Sequence, residues 1–176
     1  MYIPSEDSFF LSETLKKYFS NTKIKSKTVL DIGTGTGIQA ETLLEFFDKN
    51  SILCSDIDEE AVKYAKLKKF HTIKSDLFKK IKEKFDFIVF NPPYLPELKY
   101  DKEKDTTGGK LGDETILKFL RQIKNHLNKN GKVFLLLSSL TPRTRIKKEL
   151  EKQNLICKKI AEKKLFFEKL EVWIIS

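Results

Sequence analysis

The sequence is poor in several residue types whose abundance defines particular protein classes. Its 176 residues include two cysteines and seven glycines, which excludes a disulfide-stabilised scaffold and a collagen-like repeat. Its apolar runs are far shorter than the roughly 20 residues that cross a bilayer, and the acidic Glu6 and Asp7 stand where a signal peptide has basic residues. Fourteen phenylalanines exclude a disordered chain. We therefore expect one domain over residues 1–176, in the cytoplasm, with no membrane contact and with Cys54 and Cys157 reduced.

Arginine is also scarce, although the chain is basic. Only three of the 34 Lys and Arg residues are arginine, and the formal net charge is +9. Arginine is preferred for bidentate contacts with phosphates and bases, whereas lysine supplies hydration and a diffuse positive field. The charge therefore fits either a solvated lysine-rich surface or a polyanionic partner such as a ribosomal or RNA complex. Arg143 and Arg145 begin a predicted helix after Pro142, where they are expected to be solvated or to contact RNA or an acidic partner.

Apolar runs of strand length alternate with segments of helical periodicity along the whole chain. The runs predict strands at 28–32, 51–55, 70–74, 85–90, 132–137, 155–160 and 170–175. The periodic segments predict helices that begin after Ser5 and after Asp58 as N-caps, and further helices at 38–47, 114–127 (ended by Asn130-Gly131) and 143–152. This alternation indicates an α/β fold with a doubly wound, mostly parallel seven-stranded sheet. The last two strands lie too close for a crossover helix, so the C-terminal edge is expected to be antiparallel.

A glycine-rich segment follows the first predicted strand and opens the next helix. It reads Asp31-Ile32-Gly33-Thr34-Gly35-Thr36-Gly37, and its glycines allow a tight turn and a close approach of the backbone to a ligand. Ile38 stands where a dinucleotide-binding fingerprint has its last glycine. Asp31 would also place a negative charge beside a pyrophosphate. A ligand that carries an amino group and a sulfonium suits this segment better.

Two more acids stand at predicted strand ends. Asp56 ends the second strand, where a carboxylate can accept hydrogen bonds from ribose hydroxyls, and Asp76 follows the third, positioned to meet an adenine amino group or nearby backbone. The alternative is a glycine turn that packs helix on strand, with Asp56 and Asp76 as caps. With the glycine segment, these acids resemble the class I S-adenosylmethionine (SAM)-dependent methyltransferases. The resemblance implies SAM as cofactor, bound by Asp31, Gly33, Gly35, Gly37, Asp56, Ile57, Asp76, Leu77 and Asn91.

Asn91-Pro92-Pro93-Tyr94 follows the fourth predicted strand. An amide or exocyclic amino nitrogen has a delocalised lone pair, and two acceptors that hold its N–H groups can align it with a methyl donor. The Asn91 side-chain carbonyl and the Pro92 backbone carbonyl are two such acceptors, the prolines fix the loop, and Tyr94 offers a flat face for stacking. The segment therefore predicts methylation of a planar nitrogen, with Asn91, Pro92 and Tyr94 catalytic and Pro93 also touching substrate. The alternative is an ordinary turn after a strand.

The N-terminal segment Tyr2-Ile3-Pro4-Ser5-Glu6-Asp7-Ser8-Phe9 suggests which nitrogen is methylated. With the glycine segment, the Asn91 motif and Gly108-Gly109, it resembles the eukaryotic and archaeal branch of HemK-type enzymes. That resemblance implies methylation of the glutamine amide in the Gly-Gly-Gln motif of class 1 translation release factors. It also implies that Pro4, Glu6 and Asp7 line the site, whereas their alternative reading is a capped helix start whose acids favour its dipole.

The resemblance further implies a small zinc-binding activator protein that pairs along the edge of the third strand, at 70–74; the alternative is an edge strand blunted by Lys74. The chain departs from the family in the loop 99–112, where Asp105-Thr106-Thr107 replaces a segment that usually carries an aromatic residue. His71 and His126 stand apart from other metal ligands, so no metal site is expected.

Three other functions stay open at this point. The same pocket could methylate an adenine or guanine amino group in RNA or DNA, which would need a basic, aromatic-bearing surface. A catalytically silent SAM-fold subunit could bind a partner through its edge strand. An NAD-dependent oxidoreductase is disfavoured by Ile38.

Overall fold

A computed structural model describes residues 3–20, 24, 26–97 and 107–176. Within these residues the strands form a seven-stranded sheet in the order β3-β2-β1-β4-β5-β7-β6. The pairs β1–β2, β2–β3, β1–β4 and β4–β5 are parallel, while β5–β7 and β6–β7 are antiparallel. The strands are β1 (Val29–Ile32), β2 (Ile52–Asp56), β3 (His71–Lys74), β4 (Phe85–Phe90), β5 (Leu127–Ser138), β6 (Cys157–Lys164) and β7 (Lys169–Ile175). The predicted doubly wound sheet with an antiparallel C-terminal edge is confirmed.

Helices cover both faces of this sheet. They are α1 (Glu6–Phe19), α2 (Ile38–Leu43), α3 (Glu59–Leu67), α4 (Glu114–His126) and α5 (Arg143–Lys152). The Asp58 carboxylate caps α3 as predicted, because it accepts a hydrogen bond from the Glu60 N–H at 2.9 Å. Ser5 occupies the N-cap position of α1, but its hydroxyl donates to the Asp7 carboxylate at 3.2 Å instead of capping a backbone N–H.

Alternate strand residues supply the two halves of the core. Leu30, Ile88 and Leu135 pack on one face with α4 and α5, whereas Val29, Val89 and Phe134 pack on the other with α1 and α2. This alternation follows from the two-residue period of a strand. The central strands read as continuous apolar runs because both of their faces are covered.

The largest differences from the predicted boundaries lie in α2, β5 and β6, and β5 begins at Leu127 instead of at 132. Helix α2 ends at Leu43, since the following N–H groups of Glu45 and Phe46 bond to carbonyls three residues back and tighten the turn. Asn130-Gly131 does not end α4: the helix runs directly into β5, and Asn130 lies inside that strand with a φ of 65°. Strand β6 begins at Cys157, not at 155, and runs on to Lys164 because it pairs with β7 along its whole length.

Both arginines at the start of α5 pair with buried carboxylates of the fold, which the sequence did not predict. Arg143 Nη1 lies 3.1 Å from the buried Glu171 carboxylate, and Arg145 Nη1 lies 2.9 Å from the buried Asp113 carboxylate. These guanidinium groups neutralise carboxylates of the fold, because a buried charge without a partner is costly. The two side chains are 33% and 43% exposed, so they are only partly solvated.

The topology fixes where a ligand can bind. β1, β2 and β4 are parallel, so the loops that follow Ile32, Asp56 and Phe90 meet at one edge of the sheet, where the strand order reverses between β1 and β4. The three predicted motifs share this edge. None of the helices in the described part of the chain is both long and apolar enough to cross a membrane.

Candidate active site

A cavity of about 490 Å³ opens at this edge of the sheet. Its volume lies in the range typical of small-molecule sites. The structure brings ten of the predicted site residues to its wall: Gly33, Gly35, Asp56, Ile57, Asp76, Leu77, Asn91, Pro92, Pro93 and Tyr94. Pro4 and Asp7 also line it, whereas Glu6 does not. Tyr2 and residues 99–106 of the predicted loop lie outside the described residues.

The glycine segment forms a tight turn over the end of β2. Gly33 and Gly35 have φ values of 66° and 52°, in the left-handed region that favours glycine. The N–H groups of Gly33 and Thr34 donate to the Ser55 carbonyl at 2.8 and 3.0 Å, and the Gly35 N–H donates to the Asp56 carboxylate at 2.8 Å. The backbone of Gly33 and Gly35 therefore lines the cavity without side chains of its own, beside Thr34 and Thr36.

Asp56 is held rigidly at the end of β2. Its second carboxylate oxygen accepts the Asp58 N–H at 2.9 Å, while the first accepts the Gly35 N–H. Burial raises the pKa of Asp56, although the backbone hydrogen bonds oppose that shift. A fixed carboxylate with remaining lone pairs at the cavity wall is suited to accept hydrogen bonds from hydroxyl groups.

Asp76 stands at the far side of the cavity between two lysines. Its carboxylate accepts from Lys118 Nζ at 2.7 and 2.9 Å, and Lys79 Nζ lies 2.7 Å away. The hydrogen bond from Lys118 is the main reason why the pKa of Asp76 is lowered. The acid is thus ionised and already has partners.

Asp31 and Gly37 are not among the residues that line the cavity. The Asp31 side chain is buried behind the glycine turn, where it accepts the Thr34 hydroxyl at 2.6 Å. Burial raises the pKa of Asp31 to about 7. Gly37 has a φ of 84° and serves as the N-cap of α2, so it turns the chain into that helix.

The Asn91 side chain is oriented by an acid from helix α1. Its Nδ2 donates to the Asp7 carboxylate at 3.1 Å, and the Tyr94 hydroxyl donates to the same carboxylate oxygen at 3.4 Å. Ser8 Oγ lies 3.4 Å from the same nitrogen, so two oxygen atoms of α1 face the amide nitrogen of Asn91. Asn91 Oδ1 is buried and has no hydrogen-bond partner among the described residues. It is therefore an acceptor that a bound N–H group could satisfy.

Sequence reasoning missed several polar residues of the cavity wall, among them Ser8, Gln39 and Glu168. Gln39 Nε2 donates to the Ser8 carbonyl at 2.8 Å, and Gln39 Oε1 is a second buried acceptor without a partner in the described part of the chain. A buried glutamine on the covered face of a predicted amphipathic helix was the signal that could have identified it.

Gly108 and Gly112 support the Asn91 motif from outside. A Cβ on Gly108 would lie 2.6 Å from the Pro93 carbonyl oxygen, and one on Gly112 would lie 2.5 Å from that of Tyr94. The Gly108 N–H also donates to the Leu95 carbonyl at 2.9 Å. These glycines permit two backbone segments to pack in direct contact, which explains why glycines occur at the end of the loop 99–112.

The wall fits a SAM molecule by its donor and acceptor chemistry. SAM carries an ammonium group, a ribose diol and an adenine amino group, all of which donate hydrogen bonds. The cavity offers the carboxylates of Asp56 and Asp76, the bare glycine turn and the unpartnered carbonyl of Gln39. No group of three or more His, Cys, Asp or Glu side chains that could hold a metal ion occurs in the residues described.

Comparison with known proteins agrees with this chemistry. The model of the methyltransferase small domain matches residues 7–166. A Methanocaldococcus jannaschii relative, named as a protein N5-glutamine methyltransferase, is 39% identical over 153 residues, which cover 80% of this chain and 74% of that protein. The release factor glutamine methyltransferase of Lactococcus lactis is 31% identical over 139 residues, which cover 70% of this chain but only 52% of that protein.

A solved structure is similar over nearly its whole length. It belongs to the E. cuniculi Mtq2–Trm112 complex, described as responsible for methylation of the translation termination factor eRF1. The TM-score is 0.81 at 25% identity, and the match covers 99% of this chain and 96% of that chain.

Proposed function

The chain belongs to the methyltransferase small domain family, and from this premise we propose that it methylates the side-chain amide nitrogen of a glutamine in a class 1 translation release factor. SAM is the cofactor, and the target glutamine is that of the Gly-Gly-Gln motif. The names of the M. jannaschii, L. lactis and E. cuniculi relatives support this substrate. Release factors work with ribosomes, so the reaction is assigned to the cytoplasm.

The chain's own residues align the target and leave the chemistry to the cofactor. When bound, SAM supplies an electrophilic methyl group on a sulfonium centre. Asn91 Oδ1 and the Pro92 carbonyl accept the two N–H groups of the target amide, which favours a localised lone pair on its nitrogen. Tyr94 stacks on the amide plane. No strong base is needed, because the methyl–sulfur bond would break as the nitrogen–carbon bond forms, with a neutral thioether as leaving group, and the nitrogen would pass its proton to water only afterwards.

The orientation of Asn91 is the observation that carries the proposal. Its amide nitrogen is held by Asp7 at 3.1 Å, so its buried carbonyl oxygen keeps no partner in the described structure. A buried acceptor without a hydrogen bond costs about 1–3 kcal/mol. A donor amide bound in the cavity recovers that free energy, which gives the site a preference for an NH₂ group.

The test is transfer of a labelled methyl group. The purified protein is incubated with labelled SAM and either a class 1 release factor or total RNA, with and without a candidate activator. Label is expected in the release factor, and a release factor with alanine in place of the Gly-Gly-Gln glutamine should stay unlabelled. Label that appears only in RNA would reject the glutamine assignment and favour a base amino group.

Two variants separate chemistry from cofactor binding. Asn91→Ala should abolish transfer and leave the dissociation constant for SAM near the wild-type value, because the Asn91 side chain acts on the target and not, as the resemblance also implied, on SAM. Asn125→Ala, at an exposed position of α4, is the matched control and should behave as wild type. Loss of SAM affinity in Asn91→Ala would contradict the assigned role.

We also propose a small zinc-binding activator protein at the β3 edge, on the basis of the E. cuniculi complex. β3 is a terminal strand of the sheet, so one side of its backbone is open to strand addition. Leu67, which ends α3 just before β3, is 80% exposed. A partner strand along β3 would cover this leucine.

Leu67→Glu should weaken activator binding at least tenfold, as measured by titration calorimetry. Ile156→Glu is the control, because Ile156 is 75% exposed but precedes β6 at the opposite edge of the sheet. If Leu67→Glu and Ile156→Glu bind the activator with equal affinity, the activator does not bind at the β3 edge.

A further inference from the structure

The hairpin between β6 and β7 carries two phenylalanines at its tip. Phe166 and Phe167 are 91% and 86% exposed, the highest values among the large apolar side chains of the described residues. They occupy the two central positions of a turn that is closed by a hydrogen bond from the Leu165 N–H to the Glu168 carbonyl at 2.8 Å. We call Phe166 and Phe167 the aromatic tip.

The aromatic tip departs from the polar composition that is usual in a hairpin turn. Neither Phe166 nor Phe167 has a positive φ, so the backbone of this turn does not require Gly, Asn or Asp. Phenylalanine gains nothing there, because neither ring is buried. The rings contact each other edge to face, with centroids 4.6 Å apart and planes at 83°. A local rule that is broken without any gain in packing is expected at functional positions.

The next residue along the chain reaches the active site. Glu168 lines the same cavity as Asn91 and Tyr94, and its carboxylate accepts a short hydrogen bond from the Ser138 hydroxyl. The aromatic tip is therefore one residue away from the cavity wall. Any macromolecule that inserts a side chain into the cavity must pass close to these two rings.

The hairpin is anchored on both sides of its tip. The Ser139 N–H donates to the Lys169 carbonyl at 2.7 Å, and the Lys169 N–H donates to the Ser139 hydroxyl at 2.9 Å. On the other strand, Lys163 Nζ lies 3.8 Å from the Glu6 carboxylate at the start of α1, an exposed pair that adds little to the two bonds of Ser139. These bonds hold the tip in place, so a partner would not have to order it on binding.

We propose that the aromatic tip is a docking surface for the protein substrate, and that it contacts an apolar patch of the release factor beside the target glutamine. This inference rests on the proposed function. Leu140, 49% exposed and adjacent to the anchoring Ser139, extends the surface. A single amide in the cavity provides little contact area, whereas exposed aromatic side chains commonly dominate protein recognition.

The geometry favours a protein over RNA at the aromatic tip. Successive bases stack on rings that present separate open faces, but the edge-to-face pair uses one face of one ring for its own contact. Charge does not separate the two partners, because the exposed Lys164 and Lys169 flank the tip as well as Glu168. An apolar protein surface is compatible with the arrangement of the rings.

The test compares a full-length release factor with a short peptide that contains only its target loop. The double variant Phe166→Ser/Phe167→Ser should raise KM for the release factor at least tenfold, with kcat within twofold of wild type. KM for the peptide, the dissociation constant for SAM and the melting temperature should not change. Ile156→Ser is the matched control, because the Ile156 side chain is also exposed but lies at the opposite end of the hairpin. There the backbone N–H of Ile156 donates to the Ser176 carbonyl.

Wild-type activity is measured first, so the two proposals can fail separately. If the wild-type protein does not methylate the release factor, the proposed function fails. If it does and the double variant keeps its KM, the docking surface is wrong. The docking surface is also wrong if the variant loses only RNA methylation, or if sedimentation shows that it loses only self-association.

Discussion

Replacing Asp7 by alanine tests whether helix α1 orients the catalytic amide. In the structure the Asp7 carboxylate accepts hydrogen bonds from Asn91 Nδ2 and from the Tyr94 hydroxyl. Without this carboxylate, the Asn91 amide can rotate, and half of its orientations present nitrogen where the target needs an acceptor. We expect Asp7→Ala to lower kcat without a comparable change in SAM affinity.

The size of the effect follows from the distances. A hydrogen bond to a charged group contributes about 1.5–3 kcal/mol. The Asn91–Asp7 distance of 3.1 Å lies at the long end of the normal range, and the Tyr94–Asp7 distance of 3.4 Å lies beyond it. The lower value therefore applies, and about 1.5 kcal/mol corresponds to about a tenfold loss in rate. Asp7→Asn should lose less, because its own carbonyl can still accept from Asn91 Nδ2.

Single-turnover methyl transfer at saturating SAM measures this step directly. Glu13→Ala, which removes an exposed acid of the same helix, controls for charge and for helix stability. A rate increase in Asp7→Ala would refute the reasoning, because it would mean that Asp7 blocks the target site. An unchanged rate would equally show that the Asn91 orientation does not depend on Asp7.

Three further outcomes are expected. Gly108→Ala should lower kcat at least fivefold in the transfer assay, because its Cβ would lie 2.6 Å from the Pro93 carbonyl oxygen and displace the loop. Asp56→Ala should weaken SAM binding at least tenfold in titration calorimetry, before any effect on kcat at saturating SAM. The pKa of Asp31 is about 7 in the folded protein and 3.8 in an unfolded chain, so the wild-type protein loses stability as the pH rises from about 4 to 7. Asp31→Asn should not show this loss when the free energy of unfolding is measured by denaturant titration at several pH values. The same pH dependence in both proteins would contradict the prediction.

The fold was predictable because its signals are local. The run at 85–90 is apolar on both faces and ends at Asn91-Pro92, so its length and its position as a central parallel strand follow from the sequence. Strand β6 was placed incorrectly because it is a lysine-rich sheet edge. The length of β6 is set by its backbone pairing with β7. Its own side chains show no alternating hydrophobic pattern from which that length could be predicted.

Part of the site was predictable for a geometric reason. Parallel strands place their carboxyl ends at one sheet edge, so residues after β1, β2 and β4 had to converge there. The contacts from α1 and from the β6–β7 hairpin could not be predicted in the same way. Asp7 is 84 positions from Asn91, and no periodicity links them. Glu168 reaches the cavity only because β7 pairs antiparallel with β5.

Asp31 shows that the role of a residue in a motif depends on which face of its strand the side chain occupies. Leu30 and Ile32 face one half of the core, so Asp31 between them must point to the opposite face. That face is buried under α1 and α2, which is why burial raises the pKa of the acid and why it lies behind the cavity wall. Asp56, at the last position of β2, escapes this constraint because the chain turns away directly after it.

The dependence of the site on α1 couples catalysis to the packing of one helix. α1 carries Asp7 on the same turns as Phe10 and Leu11, which are buried against the sheet with α2. A substitution that loosens this apolar contact would move Asp7 before the sheet itself unfolds, because the sheet keeps its own ladder of strand pairs. Methyl transfer is therefore expected to fail at a lower denaturant concentration than the global unfolding transition.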